Sequence, residues 1–142
     1  MAFRVVVVTV ALGGLGVFFY FAFKLTLTPV ADRGQAGGNT DPGRSLRFYL
    51  DRPTKDAVLQ LGGNLMLLMP LGVLLPIVWT TLRGPIRLAL LTAVLSLVIE
   101  TIQGAFVVGR AFDIDDVILN VIGVVIGYLL LGRRLSRTLR GS

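Results

Sequence analysis

Residues 96–127 read SLVIETIQGAFVVGRAFDIDDVILNVIGVVIG. This stretch predicts the end of one apolar helix, a short turn and the start of a second apolar helix. It brings a glutamate, a glutamine, an arginine, three aspartates and an asparagine close to one boundary of the two helices. Because polar groups that face hydrocarbon cost several kcal/mol, we expect the remaining apolar segments to pack around this hairpin and shelter it.

The composition places the whole chain in a membrane. Its 142 residues are 54% hydrophobic, and its mean hydropathy of +0.80 is too high for a soluble domain. The absence of cysteine and histidine excludes disulfides, thiolate metal sites, cysteine nucleophiles and histidine bases. The basic residues that give the net charge of +6 flank apolar segments. We therefore expect membrane lipid, and not nucleic acid, as the partner.

Hydropathy predicts an all-α fold, a bundle of four transmembrane helices in one domain of residues 1–142. The spans are expected at about 4–24, 62–80, 86–103 and 116–132. A signal peptide is the alternative for the first span, but its nineteen uncharged residues exceed the ~7 to 15 of a signal peptide. Pro70 and Pro76 predict a kink in the second span.

A long polar loop, residues 25–61, joins the first two predicted spans. Its glycine-rich part, residues 34–43, predicts irregular structure. Further along, RSLRFYLD at residues 44–51 places Leu46, Tyr49 and Leu50 at helical spacing. Two interpretations stay open for this segment: a short helix that lies on the membrane surface, and a solvated helix that packs on its own protein.

Basic residues predict the orientation in a bacterial cytoplasmic membrane. The N-terminus, the turn at Arg83 and the C-terminal tail hold seven of the fourteen basic residues and none of the eight acidic ones. Cytoplasmic loops are enriched in lysine and arginine. We therefore expect both termini in the cytoplasm, with the long loop and the turn at Arg110 outside.

Helical periodicity collects polar side chains on facing sides of the third and fourth spans. At ~100° per residue, each of these spans carries its polar groups in one stripe. The two stripes meet across the turn and predict a shared polar pocket, because lipid would not solvate them. The predicted pocket residues are Asn64, Ser96, Glu100, Gln103, Arg110, Asp113, Asp116 and Asn120, with Gly123 and Gly127 on the same stripe of the fourth span.

Some of these residues also have purely structural interpretations, which stay open. Asp113 and Asp115 fit the N-cap and first turn of the fourth span, where the helix dipole favours acidic groups. Gly123 and Gly127 have the spacing of a close helix contact, and we expect them to serve packing.

The charges of the pocket do not balance. Asn64 and Asn120 fit interhelical hydrogen bonds as well as a binding site, whereas an intramembrane carboxylate such as Glu100 is a functional candidate by default. Arg110 is expected to form an ion pair in a turn crowded with carboxylates. Either some carboxylates are protonated, or a basic group of the long loop or a cation completes the site. No ligand spacing requires a divalent cation, and no metal or cofactor is predicted.

Four motifs follow one another between residues 60 and 130. They are Gly63-Asn64-Leu-Met-Leu-Leu-Met-Pro70-Leu-Gly72, Ser96-x-x-x-Glu100-x-x-Gln103, Arg110-x-Phe112-Asp113-x-Asp115-Asp116 and Asn120-x-x-Gly123-x-x-x-Gly127-Tyr128. In this order they resemble the VanZ-like membrane protein family. The long loop departs from the family pattern, since it carries Asn39-Thr-Asp-Pro42-Gly43 where the family has an Asn-x-x-Pro-Phe-like segment. The resemblance implies an association with resistance to lipoglycopeptide antibiotics, teicoplanin in particular.

Three classes of function stay open. The first is a non-enzymatic protein that binds or reorganises an outer-leaflet component and lowers the access of a glycopeptide antibiotic to lipid-linked cell-wall precursors. The second is an enzyme that modifies a lipid head group or such a precursor, with Glu100 or Asp116 as general base and Arg110 beside an anionic oxygen. The third is a structural or assembly protein whose polar groups lock two helices together. The sequence assigns neither a catalytic residue nor an oligomeric state.

Overall fold

The computed structural model describes residues 1–29 and 38–141, so positions 34–37 of the predicted glycine-rich segment lie outside the described residues. The helices of the described residues are α1 Ala2–Thr26, α2 Arg44–Asp51, α3 Lys55–Leu67, α4 Met69–Val78, α5 Pro85–Phe106, α6 Ile114–Gly127 and α7 Arg133–Arg140. A 3-10 turn, Thr80–Leu82, precedes α5, and a π-helical turn, Tyr128–Gly132, joins α6 to α7. Apart from one isolated β-bridge, no strand occurs in these ranges.

Four stretches of helix are long and apolar enough to cross a bilayer. They are Ala2–Thr26, Lys55–Val78, Pro85–Phe106 and Ile114–Arg140. The predicted all-α fold with four membrane-spanning helices is confirmed. The second stretch begins earlier than hydropathy predicts, because the Thr54 hydroxyl caps it by accepting the Ala57 N–H at 3.2 Å. The fourth continues through the basic tail to Arg140.

The second span is interrupted at Leu68, between α3 and α4. Pro70 lies in the first turn of α4, where it has no N–H to donate to the Met66 carbonyl and where its ring would clash with that carbonyl in a continuous helix. The Leu71 N–H bonds the Leu68 carbonyl at 2.9 Å across the break. The helix therefore breaks just before the first of its two prolines and continues through Pro76 inside α4.

The hairpin of α5 and α6 lies against α3 and α4, with α6 packed on all three other helices. Buried apolar side chains fill the space between them, among them Leu68, Leu71, Leu75, Leu88, Val124 and Tyr128. The backbones also approach closely. A Cβ added at Gly123 would collide with the Leu65 carbonyl, and one added at Gly72 would collide with the Val124 carbonyl. Small residues thus set the distance between α6 and the second span.

The helix bundle has two ends, which are named here by the segments that form them. The loop end comprises the end of α1, α2 and the α5–α6 turn, and the tail end comprises Met1, the α4–α5 turn and the end of α7. At the tail end, the Arg83 guanidinium donates to the Ser136 and Gly141 carbonyls at 2.6 Å each. α1 packs on α4 and α7 and leaves many apolar side chains exposed, as expected for a helix that faces lipid.

Candidate functional site

The α5–α6 turn is bound by the loop segment around Asn39. The Asn39 N–H donates to the Phe112 carbonyl at 2.7 Å, and the Asn39 carbonyl accepts the Ile114 N–H at 2.9 Å. These bonds form a parallel β-bridge between Asn39 and Asp113. They also satisfy one of the backbone donors that the start of α6 leaves without a helical partner.

The Asn39 side chain, 1% exposed, extends this contact to α2. Its Nδ2 donates to Asp113 Oδ1 at 2.9 Å and to the Ser45 hydroxyl at 3.0 Å. Its Oδ1 accepts the Asp41 N–H at 3.0 Å. Asp113 is itself the N-cap of α6, since its carboxylate accepts the Asp115 N–H at 2.9 Å. One buried amide therefore joins the loop, α2 and the start of α6.

Asp115 caps a helix other than its own. Its carboxylate is 3% exposed and accepts the Gly43 N–H at 2.6 Å and the Leu46 N–H at 3.0 Å. Both donors lie at the start of α2, where unpaired N–H groups and the helix dipole favour a negative charge. Gly43 has a φ of 84°, a left-handed conformation that glycine adopts without strain. The chain can therefore turn into α2 directly above the Asp115 carboxylate.

Glu100 and Asp116 lie near each other below this contact. Glu100 is 3% exposed on the buried face of α5, and its Oε2 accepts the Asp113 N–H at 3.3 Å. Asp116 is half-buried and accepts a hydrogen bond from Gln60 Nε2 on α3 at 3.4 Å. Asn64, one turn further along α3, lies beside the same carboxyl. Its Nδ2 has no hydrogen-bond partner among the described residues.

Tyr49 of α2 lies near Asp116 and Asp113 on the loop side of the hairpin. Burial raises the pKa of its phenol above the ordinary value of 10.0, and the negative charges of Asp116 and Asp113 raise it further. The phenol therefore stays neutral at neutral pH, and its hydroxyl can donate a hydrogen bond. We call this group of side chains the carboxylate cluster. It comprises Glu100, Asp116, Tyr49, Gln60 and Asn64.

A second polar pair lies one helical turn deeper in the bundle. Asn120 Nδ2 donates to the Ser96 hydroxyl at 2.8 Å, with both side chains buried. Ser96 precedes Glu100 by one turn on α5, so the pair continues the polar stripe away from the loop end. The Asn120 Oδ1 and the Thr92 hydroxyl are buried without a hydrogen-bond partner in the described ranges.

Gln103 and Arg110 bind the end of α1. Gln103 Nε2 donates to the Thr26 carbonyl at 2.7 Å, and the Arg110 guanidinium donates to the Leu25 carbonyl at 3.0 Å. The last turn of a helix leaves carbonyls unpaired and favours a cation. The hydrogen bond of Arg110 therefore caps α1. The sequence predicts a different partner for this side chain, a carboxylate of the turn.

The predicted pocket residues therefore fall into three groups. Glu100, Asp113, Asp116 and Asn64 lie together, Ser96 and Asn120 form the deeper pair, and Gln103 and Arg110 hold α1. Gly123 and Gly127 lie against the Leu65 and Met69 carbonyls of the second span. Within the described residues, no three carboxylates have the arrangement of a metal site.

Comparison with known proteins gives one match. A family model described as VanZ/LLP1 covers residues 5–135, nearly the whole chain. The chain belongs to the VanZ/LLP1 family. No curated protein and no solved structure matches it. The resemblance carried by the four motifs is thus confirmed, and the four apolar helices make this VanZ/LLP1 chain a multi-pass membrane protein.

Four residues of this VanZ/LLP1 site are absent from the pocket predicted from sequence: Asn39, Asp115, Gln60 and Tyr49. Local pattern correctly assigns Asp115 to the first turn of its own helix, but it does not reveal that the carboxylate also caps α2. The signal for Asn39 was the asparagine and proline that its loop shares with the family's Asn-x-x-Pro segment. That asparagine is the residue that docks on the hairpin.

Proposed function

We propose that this VanZ/LLP1 protein acts at the outer leaflet of a bacterial cytoplasmic membrane. Its carboxylate cluster binds a polar group of an amphiphilic molecule there. Binding lowers the access of lipoglycopeptide antibiotics, teicoplanin in particular, to lipid-linked cell-wall precursors. The observation that carries this proposal is the approach of Glu100 and Asp116 to each other near the start of α6, where Gln60 of α3 donates to Asp116 and Tyr49 of α2 lies near that carboxyl.

The chemistry of the cluster supports binding of an ammonium or hydroxyl group. The oxygens of Glu100 and Asp116 accept hydrogen bonds, while the Tyr49 hydroxyl and the Asn64 amide donate them. Polar head groups and glycosylated antibiotics carry both kinds of group. A few convergent polar side chains among apolar helices are the usual composition of a small-molecule site.

The charge distribution supports the proposed orientation. The tail end carries seven of the fourteen basic residues, and all eight acidic residues belong to the remaining segments. By the positive-inside rule, both termini then lie in the cytoplasm. The carboxylate cluster, at the loop end, faces the outer leaflet in this orientation.

The test compares wild type, Glu100→Gln and Asp51→Asn in a teicoplanin-sensitive host. Asp51 is exposed at the end of α2, so its substitution removes the same charge without touching the cluster. Wild type and Asp51→Asn should lower both teicoplanin susceptibility and the amount of fluorescent antibiotic bound at the surface, and Glu100→Gln should lose most of this effect. A wild type that changes neither quantity overturns the proposal.

Membrane protein level and melting temperature separate this function from a purely structural role of the cluster. A structural role requires that Glu100→Gln loses protection only as far as it loses folded protein. A variant that is folded, present at the wild-type level and inactive supports binding.

A second candidate function is a membrane enzyme that modifies a lipid head group or a lipid-linked precursor. It is favoured by the buried Glu100 near Asp116, because carboxyl groups are among the side chains that serve as general acids and bases. Mass spectrometry of lipids and precursors from expressing cells tests it. A new species that disappears with Glu100→Gln supports catalysis, and unchanged lipids and precursors exclude it.

A further inference from the structure

A cavity of about 550 Å³ lies at the tail end, between the first turns of α1 and the end of α7. Its lining residues are Met1, Arg4, Val5, Val8, Thr9 and Arg140. The carboxylate cluster lies at the other end of the bundle, so the two sites do not share residues.

The guanidinium groups of Arg4 and Arg140 border this cavity, and no Asp or Glu lies near either of them in the sequence. Residues 1–31, 57–99 and 117–142 contain no Asp or Glu, and they include every tail-end segment. The Arg140 Nε is buried and has no hydrogen-bond partner in the part of the chain that the structure describes. The Arg83 Nε nearby is buried without a partner as well, but two backbone carbonyls accept the other N–H groups of that guanidinium. No Asp or Glu side chain of these segments pairs with Arg4 or Arg140, so both guanidinium groups can bind an anion.

The remaining lining of the cavity is apolar. Val5 is 59% exposed and Val8 is half-buried, both on the membrane-spanning part of α1. The Thr9 hydroxyl donates to the Val5 carbonyl at 2.9 Å and so needs no further partner. Charged groups at the rim and apolar groups along the helix match the two parts of a lipid molecule.

We propose that this cavity binds an anionic phospholipid, with the phosphate between Arg4 and Arg140 and an acyl chain along Val5 and Val8. Guanidinium groups form forked, charge-assisted hydrogen bonds with phosphate. A free phosphate ion would use the arginines but leave the apolar surface uncovered. The bound lipid offsets part of the positive charge of the tail end and fastens the start of α1 to the end of α7.

The experiment is native mass spectrometry of the detergent-purified full chain with phosphatidylglycerol or phosphatidylcholine. Wild type should retain phosphatidylglycerol in preference to phosphatidylcholine. Arg4→Gln/Arg140→Gln should lose affinity by about fivefold for each arginine removed, the usual effect of one basic residue near an anionic lipid. Arg87→Gln/Arg134→Gln is the matched control, since it removes the same charge from the tail end outside the cavity.

Two further measurements make the outcome decisive. Arg4→Lys/Arg140→Lys keeps the charge and should retain part of the preference, and photoreactive phosphatidylglycerol should label the peptide containing Val5–Thr9. Equal retention of both lipids by wild type overturns the proposal, as does an equal loss in the control variant. Competition by inorganic phosphate as effective as that by phosphatidylglycerol also overturns it, because the site would then recognise the ion alone. If Arg4→Gln/Arg140→Gln does not fold, the wild-type lipid preference and the labelled peptide decide.

Discussion

Asp115 accepts a hydrogen bond from the Gly43 N–H at 2.6 Å, across 72 positions of the sequence. The first turn of α6 therefore caps α2, a helix that belongs to the long loop. Since α2 carries Tyr49, the position of the phenol beside the carboxylate cluster depends on a carboxylate that is itself outside that cluster.

We expect Asp115→Asn to release α2. The amide has nearly the same size as the carboxylate but only one oxygen. Of the Gly43 and Leu46 N–H groups, one would therefore lose its acceptor and stay buried and unpaired, which lowers the free energy of unfolding by ~1–3 kcal/mol. Hydrogen exchange in residues 43–50 should become faster, and the melting temperature in detergent should fall. Asp51→Asn removes the same charge at an exposed position and should change neither. Unchanged exchange in α2 of Asp115→Asn would contradict the capping role.

Asn39 and Asp115 should be energetically coupled, because both hold the loop on the start of α6. Asn39→Ala removes hydrogen bonds to Ser45 and Asp113. Once the loop is released, the hydrogen bonds from the start of α2 to Asp115 also weaken. The loss in the double variant should be smaller than the sum of the single losses by ~0.5–3 kcal/mol. A double-mutant cycle from denaturant unfolding measures this, with Thr40→Ala, an exposed neighbour, as control. Additive losses would mean that the two residues act independently.

Hydropathy and helical periodicity were sufficient for the four helices and for the polar face of α5. The side chains of Ser96, Glu100 and Gln103 are all buried on one side of that helix, as a 3.6-residue repeat requires. The start of the second span was harder to predict. Lys55 and Asp56 lower local hydropathy, although the Thr54 cap lets the helix begin there.

The contacts of the loop could not be predicted from local pattern. Asn39 binds Asp113, 74 positions away, and Gln60 binds Asp116 from another helix. Periodicity specifies which face a residue occupies on its own helix, but it does not specify which loop segment supplies the missing partner. The Arg110 side chain illustrates the same limit, since charge predicted a carboxylate partner but not the hydrogen bond to the Leu25 carbonyl at the end of α1.

The raised pKa of Tyr49 predicts a pH dependence of stability. The unfolded phenol ionises near 10, whereas burial and the carboxylates keep the folded phenol neutral to higher pH. The contribution of Tyr49 is therefore complete below pH 10 and is lost as the pH rises through its folded pKa. The stability difference between wild type and Tyr49→Phe should shrink over that range, as measured by denaturant unfolding at each pH.

An ultraviolet titration of the phenol checks the cause of this shift. Asp116→Asn removes one of the two negative charges and should bring the Tyr49 pKa closer to the ordinary value. Subtraction of the Tyr49→Phe titration isolates this tyrosine from the other two. A Tyr49 pKa that is the same in wild type and Asp116→Asn would show that the carboxylate does not act on the phenol.

The contact of α6 with α3 predicts that Gly123→Ala destabilises the protein. A Cβ at this position meets the Leu65 carbonyl, so the helices must move apart, at ~1–3 kcal/mol. Gly13→Ala on α1 is the matched control, because nothing lies within 4 Å of its added Cβ and alanine favours helix by up to ~1 kcal/mol. Thermal unfolding in detergent should therefore show opposite shifts for the two variants. Since α3 also carries Gln60 and Asn64, the separation should weaken the contacts with Asp116, and a Gly123→Ala protein as stable as wild type would argue against this close crossing.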